Sequence, residues 1–245
     1  MKRTILFLSL ILILMLLAAA AVAQVPIASA AQPQAKAAAG NLESVLTAMD
    51  RAADNFKTAE ATFVWDQYSK VVSDHDIQKG TIYYRRAGNE VQMASDITSP
   101  ARKYVLFAAG KMQVYQPEIE QVTEYNAGKN RADFESFLVL GFGGRGHDLQ
   151  KSFDVRFDGV ENVDGVQAAK LTLTPKQVKV RNMFQQIILW IDPARGISAQ
   201  QQLIEPSGDY RLAKYSNIKI NRNIPNDIFK LKTTGKTKWV RPQSE

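Results

Sequence analysis

Cysteine is absent from the 245 residues. That excludes a disulfide framework, a thiolate metal site, a catalytic thiol and, on a processed chain, a thiol for a lipid anchor. Histidine is scarce, with only His75 and His147, so a histidine-rich metal site is excluded and a Ser/His/Asp triad would have to use one of two residues read as loop. Asp74-His75-Asp76 reads as a polar hairpin tip that would need distant ligands to bind metal tightly. Long hydrophobic runs are also missing after the first 23 residues. Helices between the strand-like segments are missing too, which excludes a parallel crossover topology.

The chain does carry a start like an export signal. Lys2 and Arg3 precede an uncharged apolar run from Ile5 to Ala23 that ends in small residues, the order of a secretory signal. Cleavage fits after Ala21-Val22-Ala23 or after Ala28-Ser29-Ala30, and the second site is preferred, giving a signal over 1–30. An uncleaved anchor is the competing reading, because about 19 apolar residues just span a bilayer; the alanine-rich end argues against it. Residues 31–40, rich in Ala and Gln, read as a flexible leader. A periplasmic location follows for the exported chain.

The full chain has 31 basic and 24 acidic residues; without Lys2 and Arg3 the balance is 29 to 24, a net charge of +5. Spread along the chain, that charge suits solubility, an anionic membrane surface or an acidic partner. Nucleic acid is not an expected partner of an exported protein. About 205 mature residues with no break in composition suit one domain, placed at 41–232 with a basic tail at 233–245.

Leu42, Val45, Leu46, Met49, Ala53 and Phe56 recur at three- and four-residue spacing behind Asn41 as N-cap, which predicts an amphipathic helix. Alternating runs then predict strands at 61–72, 80–86, 90–97, 103–108, 112–116 and 119–125, and again at 153–160, 167–174, 184–191, 197–205 and 210–220. Short turns such as Ala109-Gly110-Lys111 and Asn162-Val163-Asp164-Gly165 join them into an antiparallel meander. Between the two sets, Phe134, Phe137, Leu138 and Leu140 read as a short apolar helix before the glycine cluster Gly141-Phe142-Gly143-Gly144-Arg145-Gly146.

The expected fold class is α+β: a strongly curled, incomplete antiparallel β-barrel of about eleven strands with an α-helical lid. An apolar inner face under a lid implies a hydrophobic ligand. Gly141-x-Gly143-x-x-Gly146 formally matches a dinucleotide fingerprint, but that motif needs a preceding strand and a following parallel strand. A lid hinge fits it better, and no cofactor is expected.

Lys79-Gly80-Thr81-Ile82-Tyr83-Tyr84-Arg85-Arg86 followed by the run from Ala109 to Thr123, then Leu173-Thr174-Pro175-Lys176 and Asn223-Ile224-Pro225-Asn226-Asp227-Ile228-Phe229, resembles the outer-membrane lipoprotein carrier (LolA) family. The series covers about Leu42 to Lys232, and no single block is diagnostic. The resemblance implies a non-enzymatic carrier. It would take the acyl chains of lipoproteins from an inner-membrane ABC-type releasing complex and deliver them to an outer-membrane receptor, as a monomer. The family's latch arginine at a strand end corresponds to Arg86, whose donors would satisfy carbonyls of the lid. Without the family, Arg85 and Arg86 read as solvated charges guarding a sheet edge.

The sequence departs from the pattern where Ala87 replaces a proline, Ala109 replaces an aspartate and an aromatic pair is absent. Those aromatic positions fall on Glu90 and Gln92 or, preferably, on Val91 and Met93. Alternation within strands nominates Phe63, Trp65, Tyr83, Val91, Met93, Val105, Phe107 and Tyr115 as the cavity lining, with Phe134, Phe137 and Leu138 on the lid. Ordinary core is the competing role for each. Three function classes stay open: a lipoprotein carrier, a lipid-binding regulator or a carrier of another hydrophobic ligand on a related fold, and an enzyme. Periplasmic regulators of this fold carry a second domain, for which the chain past Lys232 has no room; its basic tail rests on headgroups or simply frays.

Overall fold

A computed structural model describes residues 41–88, 90–126 and 140–242. The first helix, α1 (Leu42–Asn55), starts where the Asn41 side chain accepts a hydrogen bond from the Ser44 amide at 2.9 Å, so the cap read from the sequence is in place. Its apolar face buries Val45, Leu46, Met49 and Ala53, each large one worth about 1.5–3 kcal/mol of burial. Among the described residues two shorter α-helices follow later, α2 (Gly146–Ser152) and α3 (Val178–Arg181).

Twelve strands make one curled, unclosed sheet: β1 (Thr58–Ser69), β2 (Asp74–Ala87), β3 (Glu90–Ser99), β4 (Lys103–Ala108), β5 (Lys111–Gln116), β6 (Gln121–Asn126), β7 (Phe153–Val163), β8 (Val166–Pro175), β9 (Gln186–Asp192), β10 (Ile197–Ile204), β11 (Tyr210–Ile220) and β12 (Lys238–Val240). Their order is β12-β6-β5-β4-β3-β2-β1-β11-β10-β9-β8-β7. The single meander of the sequence reading is thus two meanders joined through β1 and β11, with Phe63 opposite Tyr215 and Trp65 opposite Ala213.

β12 runs parallel to β6, pairing Trp239 with Val122. The sequence reading excluded parallel pairing for want of crossover helices, but the long return from Ile220 serves as the crossover for a strand of three residues. Asp74-His75-Asp76 is not a tip either: it opens β2, and the turn lies at 70–73.

Alternation sorts the sheet into two faces. The inner face carries Ala59, Ala61 and Phe63 opposite Tyr84, Ile82 and Gly80. It continues from Tyr84 to Met93 to Phe107. Over β8 and β9 it is filled by α1 and α2, where Val45, Leu46, Met49 and Leu149 pack on Leu171, Leu173, Ile187 and Leu189. On the outer face Ile224 and Phe229 of the return segment cover Ala94 and Leu106.

Candidate functional site

Helix α1 covers only half of the inner face. Over β1–β4 and β11 the cover among the described residues comes from Phe142 of the glycine cluster and from Phe56 after α1. Phe142 is fully buried, stacked on Tyr84 at 5.1 Å between ring centroids and edge-on to Tyr215 at 4.8 Å. Met93, Phe107 and Phe56 belong to the same cluster. Burial pushes the phenol pKa of both tyrosines up, and the Tyr215 hydroxyl donates to Gln201 Oε1 at 3.2 Å.

The loop bearing Phe142 is held by its carbonyls. The Gln201 side-chain amide donates to the Leu140 carbonyl, the Ser198 amide to that of Gly141 at 2.9 Å, and Arg86 Nη2 to that of Gly143 at 2.9 Å. The glycines permit this closeness. Gly143 has φ +84°, and a Cβ there would sit 2.5 Å from the Phe56 ring; a Cβ on Gly146 would sit 2.4 Å from the Leu46 carbonyl oxygen.

Residues just past the loop are clasped to α1. Arg145 pairs with Asp54 and lies 3.8 Å from Asp50. His147 Nδ1 lies 2.5 Å from Asp50 Oδ2, its Nε2 lies 3.2 Å from Glu43, and its amide donates to Asp50 Oδ1. Hydrogen bonding to Asp50 first, and to Glu43 next, raises the His147 pKa above its ordinary value. Burial works against ionised Asp50, but the hydrogen bonds and charge of His147, helped by Arg145, outweigh it and hold its carboxyl below the usual range.

The arginine pair splits across the sheet. Arg85 faces outward, donating to Gln92 and to Asn226 Oδ1 and lying 4.0 Å over the Phe229 ring. Arg86 faces inward. Neither guards an edge, because β2 lies between β1 and β3.

Of the nominated lining, Phe63, Trp65, Val91, Met93, Val105 and Phe107 share the inner face, while Tyr83 and Tyr115 lie on the outer one, Tyr115 stacked on Tyr104. Phe134, Phe137 and Leu138 lie outside the described residues. Sequence reasoning passed over Phe142, Ser198, Gln201 and the Asp50–His147 pair. An aromatic residue between glycines was a usable signal for the first. Asp50 and Asp54, one helical turn apart, were a signal for the clasp. Among the described residues no cluster of histidines and carboxylates is placed to hold a metal ion, and no helix is long and apolar enough to cross a membrane.

The sequence model described as outer membrane lipoprotein carrier protein LolA matches residues 54–232. No curated protein matches the chain in sequence. An uncharacterised conserved protein from Thermus thermophilus superposes with a TM-score of 0.52 at 12% identity, covering 82% of this chain and 98% of that one. MucB superposes with a TM-score of 0.50 at 16% identity over 78% of this chain, which spans only 62% of MucB. Both likenesses bear on the fold alone. LolA-like proteins are periplasmic and bind or carry lipids or lipoproteins. With nearly three-quarters of its length inside that match, this chain belongs to the LolA family.

Proposed function

We propose that the protein shields the acyl chains of lipoproteins on its inner face and carries them from the inner to the outer membrane. The observation that carries this reading is the seat of Phe142, an apolar site on the sheet filled by a loop that polar contacts fasten. A guest chain takes that seat when the loop leaves it, and Phe63, Met93 and Phe107 then line the guest. Arg86 is the latch.

The energies support a carrier rather than a permanent store. Seating Phe142 yields about 1.5–3 kcal/mol of burial, two ring pairs add about 0.5–1.5 kcal/mol each, and three hydrogen bonds add about 0.5–1.5 kcal/mol each. The closed loop is therefore worth on the order of 4–10 kcal/mol. An acyl chain burying about ten methylenes gains about 8 kcal/mol. One such chain and the closed loop are closely enough matched to be exchanged by docking to a partner. A loop held only by apolar packing would give up its guest less readily.

The test uses protein beginning at Ala31, incubated with energised inner-membrane vesicles of its source. Released triacylated lipoprotein in stoichiometric complex is the expected result. Free lipid, or no cargo, would favour a second reading, a lipid-binding regulator, which the likeness to MucB supports at the level of fold. The releasing complex and an outer-membrane receptor are the partners that the carrier reading requires.

A further inference from the structure

The strand register brings three loops to one end of the sheet. Tyr68 near the end of β1 pairs with Tyr210 at the start of β11, Ile204 at the end of β10 pairs with Gln186 at the start of β9, and α3 lies in the connection leading into β9. The 70–73 turn, the 205–209 turn and the 176–185 connection are therefore neighbours. The 99–102 turn is set back from them, because Ser99 pairs with Lys79, well inside β2. The Arg86 latch, beside the β2–β3 turn, is at the opposite end.

Large apolar side chains stand in water at this end. Val71 is 89% exposed, Val72 68%, Val178 61% and Met183 44%. Val178 and Met183 flank buried Val180, which pins their connection down. A hairpin tip and a loop that both spend valines on solvent suit a surface that takes up apolar side chains without a shaped pocket.

Charge identifies that surface. Between Asp164 and Asp192 there is no acidic residue, and the connection after β8 carries Lys176, which lies 3.7 Å from Asp154, together with Lys179 and Arg181. Of the carboxylates nearby, Asp74 and Asp76 are exposed at the start of β2, and the others have partners within the protein. Glu205 pairs with Arg211 at 3.0 Å, Asp209 accepts from the Lys70 amide at 2.8 Å, and Asp66 holds His75 at 2.8 Å. Apolar tips framed by cations match the interface of an anionic bilayer, where headgroups meet Lys and Arg and the side chains between them enter the acyl boundary.

We infer that this end of the sheet docks on anionic phospholipid through Val178, Met183 and the cations of the 176–181 segment, with Val71 and Val72 as a second point of insertion. Docking there leaves the latch end facing away from the bilayer. The inference goes beyond the carrier reading and stands apart from it, because it concerns the empty protein.

The experiment is sedimentation of protein beginning at Ala31 with vesicles of phosphatidylcholine alone and of phosphatidylcholine with phosphatidylglycerol, at low and at physiological salt. Binding to the anionic vesicles alone, weakened by salt, is expected. Lys179→Gln should weaken it about fivefold. The Val178→Asp/Met183→Asp double variant should weaken it tenfold or more with an unchanged melting temperature, and Val71→Asp/Val72→Asp is a second variant at independent exposed sites. No binding to anionic vesicles at low salt would overturn the inference. So would undiminished binding by both double variants, or equal binding to the two vesicle types. Because no lipoprotein is present, failure here leaves the cargo-release assay to judge the carrier reading separately.

Discussion

Phe142 and Tyr84 stack with their planes 12° from parallel, so a residue of the glycine-rich loop occupies the part of the inner face that a guest chain would need. On the proposed reading, loop and guest compete for one site, and variants of the loop should move stability and binding in opposite directions.

Phe142→Ala should lower unfolding stability by about 3–5 kcal/mol, the range for truncating a fully buried phenylalanine. It should also tighten binding of a fluorescent fatty-acid probe, since the competitor is gone. Denaturant titration and probe titration on one preparation check both. A stability loss with weaker probe binding would remove Phe142 from the guest site and leave it as ordinary core.

Gly143→Ala tests the loop without removing an apolar side chain. A Cβ at φ +84° would meet the Phe56 ring at 2.5 Å, so the closed loop should lose at least about 1 kcal/mol. Hydrogen exchange at the amides of 141–144 should speed up while the amides of β8 and β9 keep their protection. Unchanged exchange in the loop would mean that the Phe56 ring yields at no cost.

Arg86→Leu removes the donor to the Gly143 carbonyl and leaves Phe142 in place. Loaded protein should form normally but discharge slowly, because the closed empty state has lost its polar fastening. Arg85→Leu is the matched control. It breaks contacts to Gln92 and Asn226 on the outer face and should cost stability without slowing discharge. Equal release kinetics for the wild type and Arg86→Leu would end the latch assignment.

The strands were legible because each has one apolar face, and period-two alternation survives whatever the strand pairs with. The pairing of β1 with β11 was not legible, since neighbours about 150 residues apart leave no local signal. Tyr83 and Tyr115 went to the wrong face for a related reason. In β2 the inward set is Ile82, Tyr84 and Arg86, and with aromatics at both 83 and 84 composition cannot choose between them. In β5 the two-residue turn that pairs Ala108 with Lys111 puts Met112 inward and Tyr115 outward, a parity visible only once the turn is fixed. The family pattern singled out Arg86, which faces inward. Its partner escaped because backbone carbonyls of a glycine loop carry no side-chain signature.

The His147 clasp makes the same loop sensitive to pH, and its sign can be worked out. The folded His147 pKa lies above the ordinary value of 6.5, so its contribution is full below that value and is lost as pH rises through the folded pKa. Asp50 is shifted the other way: its contribution is present above the ordinary value of 3.8 and is lost as pH falls through its depressed folded pKa. The clasp is therefore strongest in the mildly acidic window between the two ordinary values, 3.8 and 6.5. The ring is 40% exposed, which keeps the effect modest, because solvent screens the pair. His147→Gln should be less stable than wild type in that window, and the gap should close as pH rises past the folded histidine pKa. Denaturant titrations at a series of pH values measure the gap, and the ring proton shifts of His147 and His75 give the pKa directly. A gap that does not change with pH, or a His147 titration at or below 6.5, would assign the clasp to packing rather than charge. If the gap closes as expected, acyl probe release should slow over the same rise in pH, because the clasp that weakens is one that holds the closed, empty loop to α1.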